Sequence, residues 1–85
     1  MQVIAQDMRG IPLWLLREYL EELGGVADGE ELVRGAGWQA RLTRLEPLRL
    51  GSLAIGQVRL ELEVEDAQAQ DLVARLAKKT LRAGG

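Results

Sequence analysis

The sequence predicts an α+β fold, a two-layer sandwich in the order β-α-β-β-β-β-α whose antiparallel sheet carries two helices on one face. Three observations predict it. Val58, Leu60, Leu62 and Val64 alternate with Arg59, Glu61, Glu63 and Glu65, the period-2 signature of a strand with one buried side. Leu13, Leu16, Tyr19, Leu20 and Leu23 recur at helical spacing, as do Ala69, Leu72, Val73, Leu76, Ala77 and Leu81. A sheet with one apolar face needs a cover, and two one-sided helices supply it. The other sheet face is then open to solvent or to a partner.

Residues 2–9 form a mixed stretch that reads as the first strand, broken at Gly10. Pro12 opens the first helix, where its missing N–H would be unpaired in any case. Gly24-Gly25 ends that helix as a C-cap. Residues 31–34 read as a short strand and Gly35-Ala36-Gly37 as a turn. Trp38, Ala40 and Leu42 alternate with Gln39, Arg41 and Thr43, a half-buried strand that puts Trp38 in the core. Glu46-Pro47 interrupts it. Leu48–Leu50 and Leu53–Ile55 flank Gly51-Ser52 as a hairpin, and Gly56 marks a bulge or break before the strongly alternating strand. Asp66 is a good N-cap for the second helix. Lys78, Lys79 and Arg82 lie near its C-terminus, where the helix dipole favours positive charge.

The chain has 85 residues, which is one domain spanning 1–85, with a hydrophobic fraction of 47% and a charged fraction of 28%. A chain this short has one modest core and little room for a deep enclosed pocket. It contains no His, Cys, Asn or Phe, and Ser52 is its single serine. A His-dependent triad, a Cys–His pair, a disulfide framework and a zinc site with nitrogen or sulfur ligands are therefore excluded. Asp28-Gly29-Glu30-Glu31 lacks the alternating ligand spacing of a calcium loop and reads as a solvated turn. No apolar run approaches a bilayer span, and the N-terminus has no signal-peptide pattern. A cytoplasmic protein is expected, with no cofactor and no enzymatic activity. Nine of the eleven basic residues are arginine, a composition that fits thermal hardening or a GC-rich genome.

Residues 11–25, IPLWLLREYLEELGG, and 46–65, EPLRLGSLAIGQVRLELEVE, resemble the C-terminal domain of MoaD-related proteins of thermophilic bacteria. With the second helix the resemblance covers nearly the whole chain. It implies a TATA-binding-protein-like α+β fold in the same β-α-β-β-β-β-α order. Neither stretch is a catalytic motif, so the resemblance implies no site residues. The relatives carry a MoaD-like β-grasp domain, the small sulfur carrier of molybdopterin synthesis. That domain has no counterpart in these residues, so a carrier role is not expected.

Four residues stand out as a candidate ligand or partner surface: Arg41, Arg49, Arg59 and Trp14. From Arg34 to Leu60 the net charge is +4, against −6 for the remainder. By strand parity Arg41 and Arg59 lie opposite the core face. Arg49 joins them if Leu48 and Leu50 point inward. Three guanidinium groups on an open sheet face suit an anion or a phosphate. The plainer reading is cross-strand pairing with Glu61, Glu63 and Glu65. Nucleic acid is not expected, because the net charge is −2 and exposed aromatic platforms are lacking. Trp14 lies off the main helical stripe, as an interface anchor or as packing over the sheet edge. Glu18, Glu21 and Glu22 read as surface charge. The terminal Gly84-Gly85 matches the tail of ubiquitin-like carriers, but it follows a helix directly and reads as a C-cap. The expected function is a non-enzymatic interaction module that self-associates or docks a protein, with a link to molybdopterin or sulfur-carrier metabolism. The competing expectation is a binder of small anionic ligands.

Overall fold

The computed structural model describes residues 1–84. Among these, the elements are β1 (Gln2–Arg9), α1 (Leu13–Glu22), β2 (Val26–Ala27), β3 (Leu32–Gly35), β4 (Trp38–Leu50), β5 (Leu53–Val64) and α2 (Asp66–Gly84). The order is the expected β-α-β-β-β-β-α. The five strands form one antiparallel sheet, β1-β5-β4-β3-β2, so the two longest strands lie next to each other near its centre. Helix α1 packs on β2, β3 and β4, and α2 packs on β1 and α1. Both helices thus cover the same face, and the two-layer α+β sandwich is the observed fold. No described helix is long and apolar enough to cross a membrane.

The core forms where the alternating strands meet the helical stripes. Leu16 and Leu20 of α1 are fully buried, and so are Val33, Ala40, Leu42 and Val64 from the sheet. From α2, Ala69, Leu72 and Leu76 enter the same cluster. Trp38 is buried as expected. Among the described residues no polar or charged side chain is buried, so the core incurs no desolvation cost for unpaired groups.

Helix boundaries differ from expectation by one residue at two N-termini. Pro12 is the N-cap of α1, with extended ψ of 151°, rather than its first helical residue. Its carbonyl accepts from the backbone N–H groups of Leu15 and Leu16 at 3.1 Å. Asp66 is the first residue of α2, not its cap, and the Glu65 carbonyl accepts from the Gln68 N–H at 2.9 Å. The C-terminal end of α1 closes as predicted. Gly24 takes φ +102°, and Gly25 N–H and Gly24 N–H reach back to the carbonyls of Leu20 and Glu21 at 3.1 and 3.0 Å. This pairing satisfies two carbonyls the helix would otherwise leave open. The buried stripe of α2 is narrower than its sequence suggested. Val73, Ala77 and Leu81 are exposed, because α2 packs only toward the β1 edge and α1. Helix α2 runs through Gly84, while Gly85, the other half of the diglycine, lies outside the described residues.

The strand boundaries carry the larger correction. Val26–Ala27 pairs with Arg34 and Val33 as the far edge of the sheet, a strand the sequence does not predict. The segments 38–43 and 48–50 are one strand, and so are 53–55 and 58–64. Glu46-Pro47 does not end β4. Leu45 lies opposite Gln57 and Leu48 opposite Ile55, so Glu46 and Pro47 together face Gly56 in a two-against-one bulge. The Gln57 side chain donates to the Glu46 carbonyl at 3.0 Å and so satisfies one group the bulge leaves unpaired. Proline is tolerated there because β3 pairs with β4 only as far as Arg41, leaving no neighbour to receive an N–H.

Candidate functional site

The lengths of the strands create the most distinctive surface. Strand β1 pairs with β5 only from Gln57 to Val64, and β3 covers β4 only from Trp38 to Arg41. Beyond the bulge, Leu48–Leu50 and Leu53–Ile55 continue as a two-stranded arm closed at Gly51, which has φ +63°. The molecule measures 43 × 25 × 20 Å.

The bulge also decides which way the arm's side chains point. An extra residue in one strand reverses the facing of everything beyond it. On β5, Leu53 and Ile55 keep the parity of Arg59, so they lie on the open face. Leu48 and Leu50 lie opposite them, on that same face. Leu50 and Leu53 are 56% and 65% exposed, and Leu48 and Ile55 are half-buried. Half-buried Leu45, on the near side of the bulge opposite Gln57, extends this apolar strip toward the body of the sheet. The expectation that Leu48 and Leu50 point inward is therefore reversed.

The same reversal separates the arginines. Arg41 lies opposite Glu61, and Arg59 lies two pairs further along, opposite Thr43, on the open face as expected. Arg49 lies opposite Ala54 and so projects toward the helix side of the arm. It does not join the other two. Trp14 belongs to the helix layer and is 54% exposed, so neither core packing nor contact with the arginine face accounts for it. The four candidate residues thus occupy three different surfaces.

Arg59 is already engaged. Its Nε donates to Asp7 Oδ1 of the neighbouring strand at 3.0 Å. That hydrogen bond and the Asp7 charge raise the guanidinium pKa above its ordinary value, so Arg59 stays charged at any working pH. Arg59 pairs with Asp7, one strand away, rather than with the glutamates of its own strand. Arg41 makes no ion pair among the described residues. Around these two cations the open face also carries Glu61 and Glu63, so it offers an anion a mixed surface rather than a positive one.

A shallow recess of about 400 Å³ opens on the other side of the arm's base, walled by Ile11, Pro12, Leu13, Pro47 and Val58, with Arg44 its one charged lining residue. Among the described residues no three Asp or Glu side chains gather as a metal cluster. In the acidic loop, Asp28 instead pairs with Arg34 at 3.6 Å, across the β2–β3 turn.

The chain matches the family described as archaeal MoaD-like protein over residues 4–85, and it belongs to that family. The match includes both helices and all but the first two residues of β1. No curated protein gives a significant match.

Proposed function

We propose that this chain is a non-enzymatic interaction module whose docking surface is the apolar open face of the β4–β5 arm, and that it works beside sulfur-carrier metabolism. One observation carries the first half. A two-stranded ribbon is marginal in water unless a face is covered, yet this one presents Leu48, Leu50, Leu53 and Ile55 with no third strand or helix over them among the described residues. Membership of a MoaD-like family supports the second half, MoaD being a small sulfur carrier. The narrower resemblance to a domain of thermophilic bacterial MoaD-related proteins is part of the same proposal. The lack of His and Cys supports a non-catalytic role by removing the commonest nucleophiles and general bases.

Sedimentation velocity tests the reading, on the protein alone and mixed with a MoaD-type sulfur carrier and with its adenylating enzyme. At least one sample should contain a species larger than its components. Leu50→Glu combined with Leu53→Glu should remove it while leaving the circular dichroism spectrum unchanged. Monomer in every mixture would sink the proposal.

The anionic-ligand reading is weaker on geometry, since Arg59 is held by Asp7 and Arg49 faces away. A thermal-shift screen with phosphates and carboxylates should accordingly give no shift that Arg41→Ala or Arg59→Ala abolishes. Such a shift would restore that reading.

A further inference from the structure

We infer that the occupant of the arm's apolar face is a second copy of this chain, packed antiparallel about a two-fold axis that passes near the Leu48–Ile55 pair. The inference rests on the docking role proposed above and names its partner. Three features point to a self-complementary contact.

The first is charge. From Leu48 to Ile55 the open face of the arm carries only aliphatic side chains, because the bulge has turned Arg49 to the other side. The tip is Gly51-Ser52, small and uncharged. Two identical strips can therefore meet without placing like charges together, a condition every two-fold contact must satisfy.

The second is direction. If the two arms lay side by side with tips together, the whole open faces would overlap. The Glu61 and Glu63 of one copy would then lie over those of the other. With the arms antiparallel the two bodies sit at opposite ends, and the acidic stretches stay apart. Leu50 and Leu53 of one copy then cover Leu45 and Gln57 of the other.

The third is area. The exposures of Leu50 and Leu53 and the half-buried Leu45, Leu48 and Ile55 amount to an apolar strip on the order of 400 Å² per copy. Two copies would bury on the order of 800 Å² in all, well below the ~1,600 Å² of a standard stable complex. The contact is therefore a concentration-dependent association rather than an obligate dimer.

The absence of cysteine makes the test clean. Facing sheets pack about 10 Å apart, so a thiol crosslinker of about that span should join two Leu48→Cys chains near the axis. It should leave Ser52→Cys chains, at opposite ends of the paired arms, largely unjoined. Sedimentation equilibrium from micromolar to millimolar concentration should show a monomer–dimer equilibrium that Leu53→Asp abolishes. Leu53 is exposed, and an unchanged circular dichroism spectrum will show that this variant still folds. A dimer that persists in Leu53→Asp, or one crosslinked through Ser52→Cys and not through Leu48→Cys, would overturn the assignment. A monomer at all concentrations would overturn it too. If that monomer still forms a complex with a sulfur carrier, the docking role stands and only the second copy is lost. If it forms none, both fall.

Discussion

Replacing Trp38 by alanine should lower the stability of the fold by roughly 3–5 kcal/mol, a large share of what a chain of this size commands. Trp38 starts β4 and is 7% exposed. Its ring lies over Gly35, its direct cross-strand partner, and reaches Gly25 at the end of α1. One side chain thus fills the space where the α1–β2 connection and the β3–β4 hairpin meet. Removing it leaves a void bordered by two glycines, which have no side chains to collapse into it. Urea or thermal denaturation followed by circular dichroism measures the effect. For a domain of this length the midpoint should fall by at least about 12 °C. Trp14→Ala is the control, because Trp14 is 54% exposed and its loss should cost within about 0.5 kcal/mol. A Trp38→Ala variant as stable as the Trp14→Ala control would contradict this account of the core.

Trp38 also shows what the sequence conveys well. Its phase with Ala40 and Leu42 puts it inside, and all three are buried. The same alternation in Val58, Leu60, Leu62 and Val64 marks the inner face of the second half of β5, where all four are buried. Such patterns are legible because burial on one face enforces a period of two. Strand β2 was not legible. A pair of residues carries no period, and Val26 and Ala27 are a strand only because Arg34 and Val33 lie alongside them. Val73, Ala77 and Leu81 show the opposite failure. Their spacing is helical and apolar, but burial depends on what lies across from them, and α2 overhangs too little of the sheet to cover them.

The site was less legible than the fold, and the cause lies in residues 46 and 47. Glu46-Pro47 has the local pattern of a strand end, and across a strand end the facing of Leu48 does not follow from that of Leu45. In the structure the strand continues and the bulge reverses the facing, putting Leu48 and Leu50 on the open face and the exposed Arg49 on the helix side of the arm. A signal was present. Proline inside an apolar run, with a lone glycine at the matching position of the next strand, is the pattern of a bulge rather than a break. The Arg59–Asp7 pair was beyond reach for another reason. It depends on β1 lying beside β5, and no local pattern shows which strand borders the last one. Arg41 and Arg59 do lie on the open face, and Arg41 stands opposite Glu61 as cross-strand pairing expects, but Arg59 pairs with Asp7 instead.

Gly35→Ala should cost about 2–3 kcal/mol, although alanine suits a strand better than glycine does. Its Cβ would fall inside van der Waals contact of Cε2, Nε1 and Cζ2 of Trp38. Gly35 carries no positive φ, so the backbone itself accepts alanine, and the penalty is one of space alone. The obstructing group is a buried, rigid ring rather than the end of a flexible chain, so relief requires moving Trp38 as a whole. The ring cannot retreat toward α1, because Gly25 is already in contact there. A Cβ on Gly25 would meet Trp38 Cη2 at 2.7 Å. A double-mutant cycle isolates this cause. In a Trp38→Leu background the ring is gone, and Gly35→Ala should then cost less than about 1 kcal/mol, a coupling of at least about 1 kcal/mol between the two positions. An unchanged penalty in that background would mean that the strand pairing, and not the tryptophan, demands glycine. The coupling bears on function as well as stability. The β3–β4 hairpin that Trp38 anchors to Gly35 ends its pairing at Arg41, and from there β4 runs on with only β5 beside it. A loosened hairpin would shift the base from which the arm projects, so Gly35→Ala should weaken association through the arm without altering any residue on its apolar face.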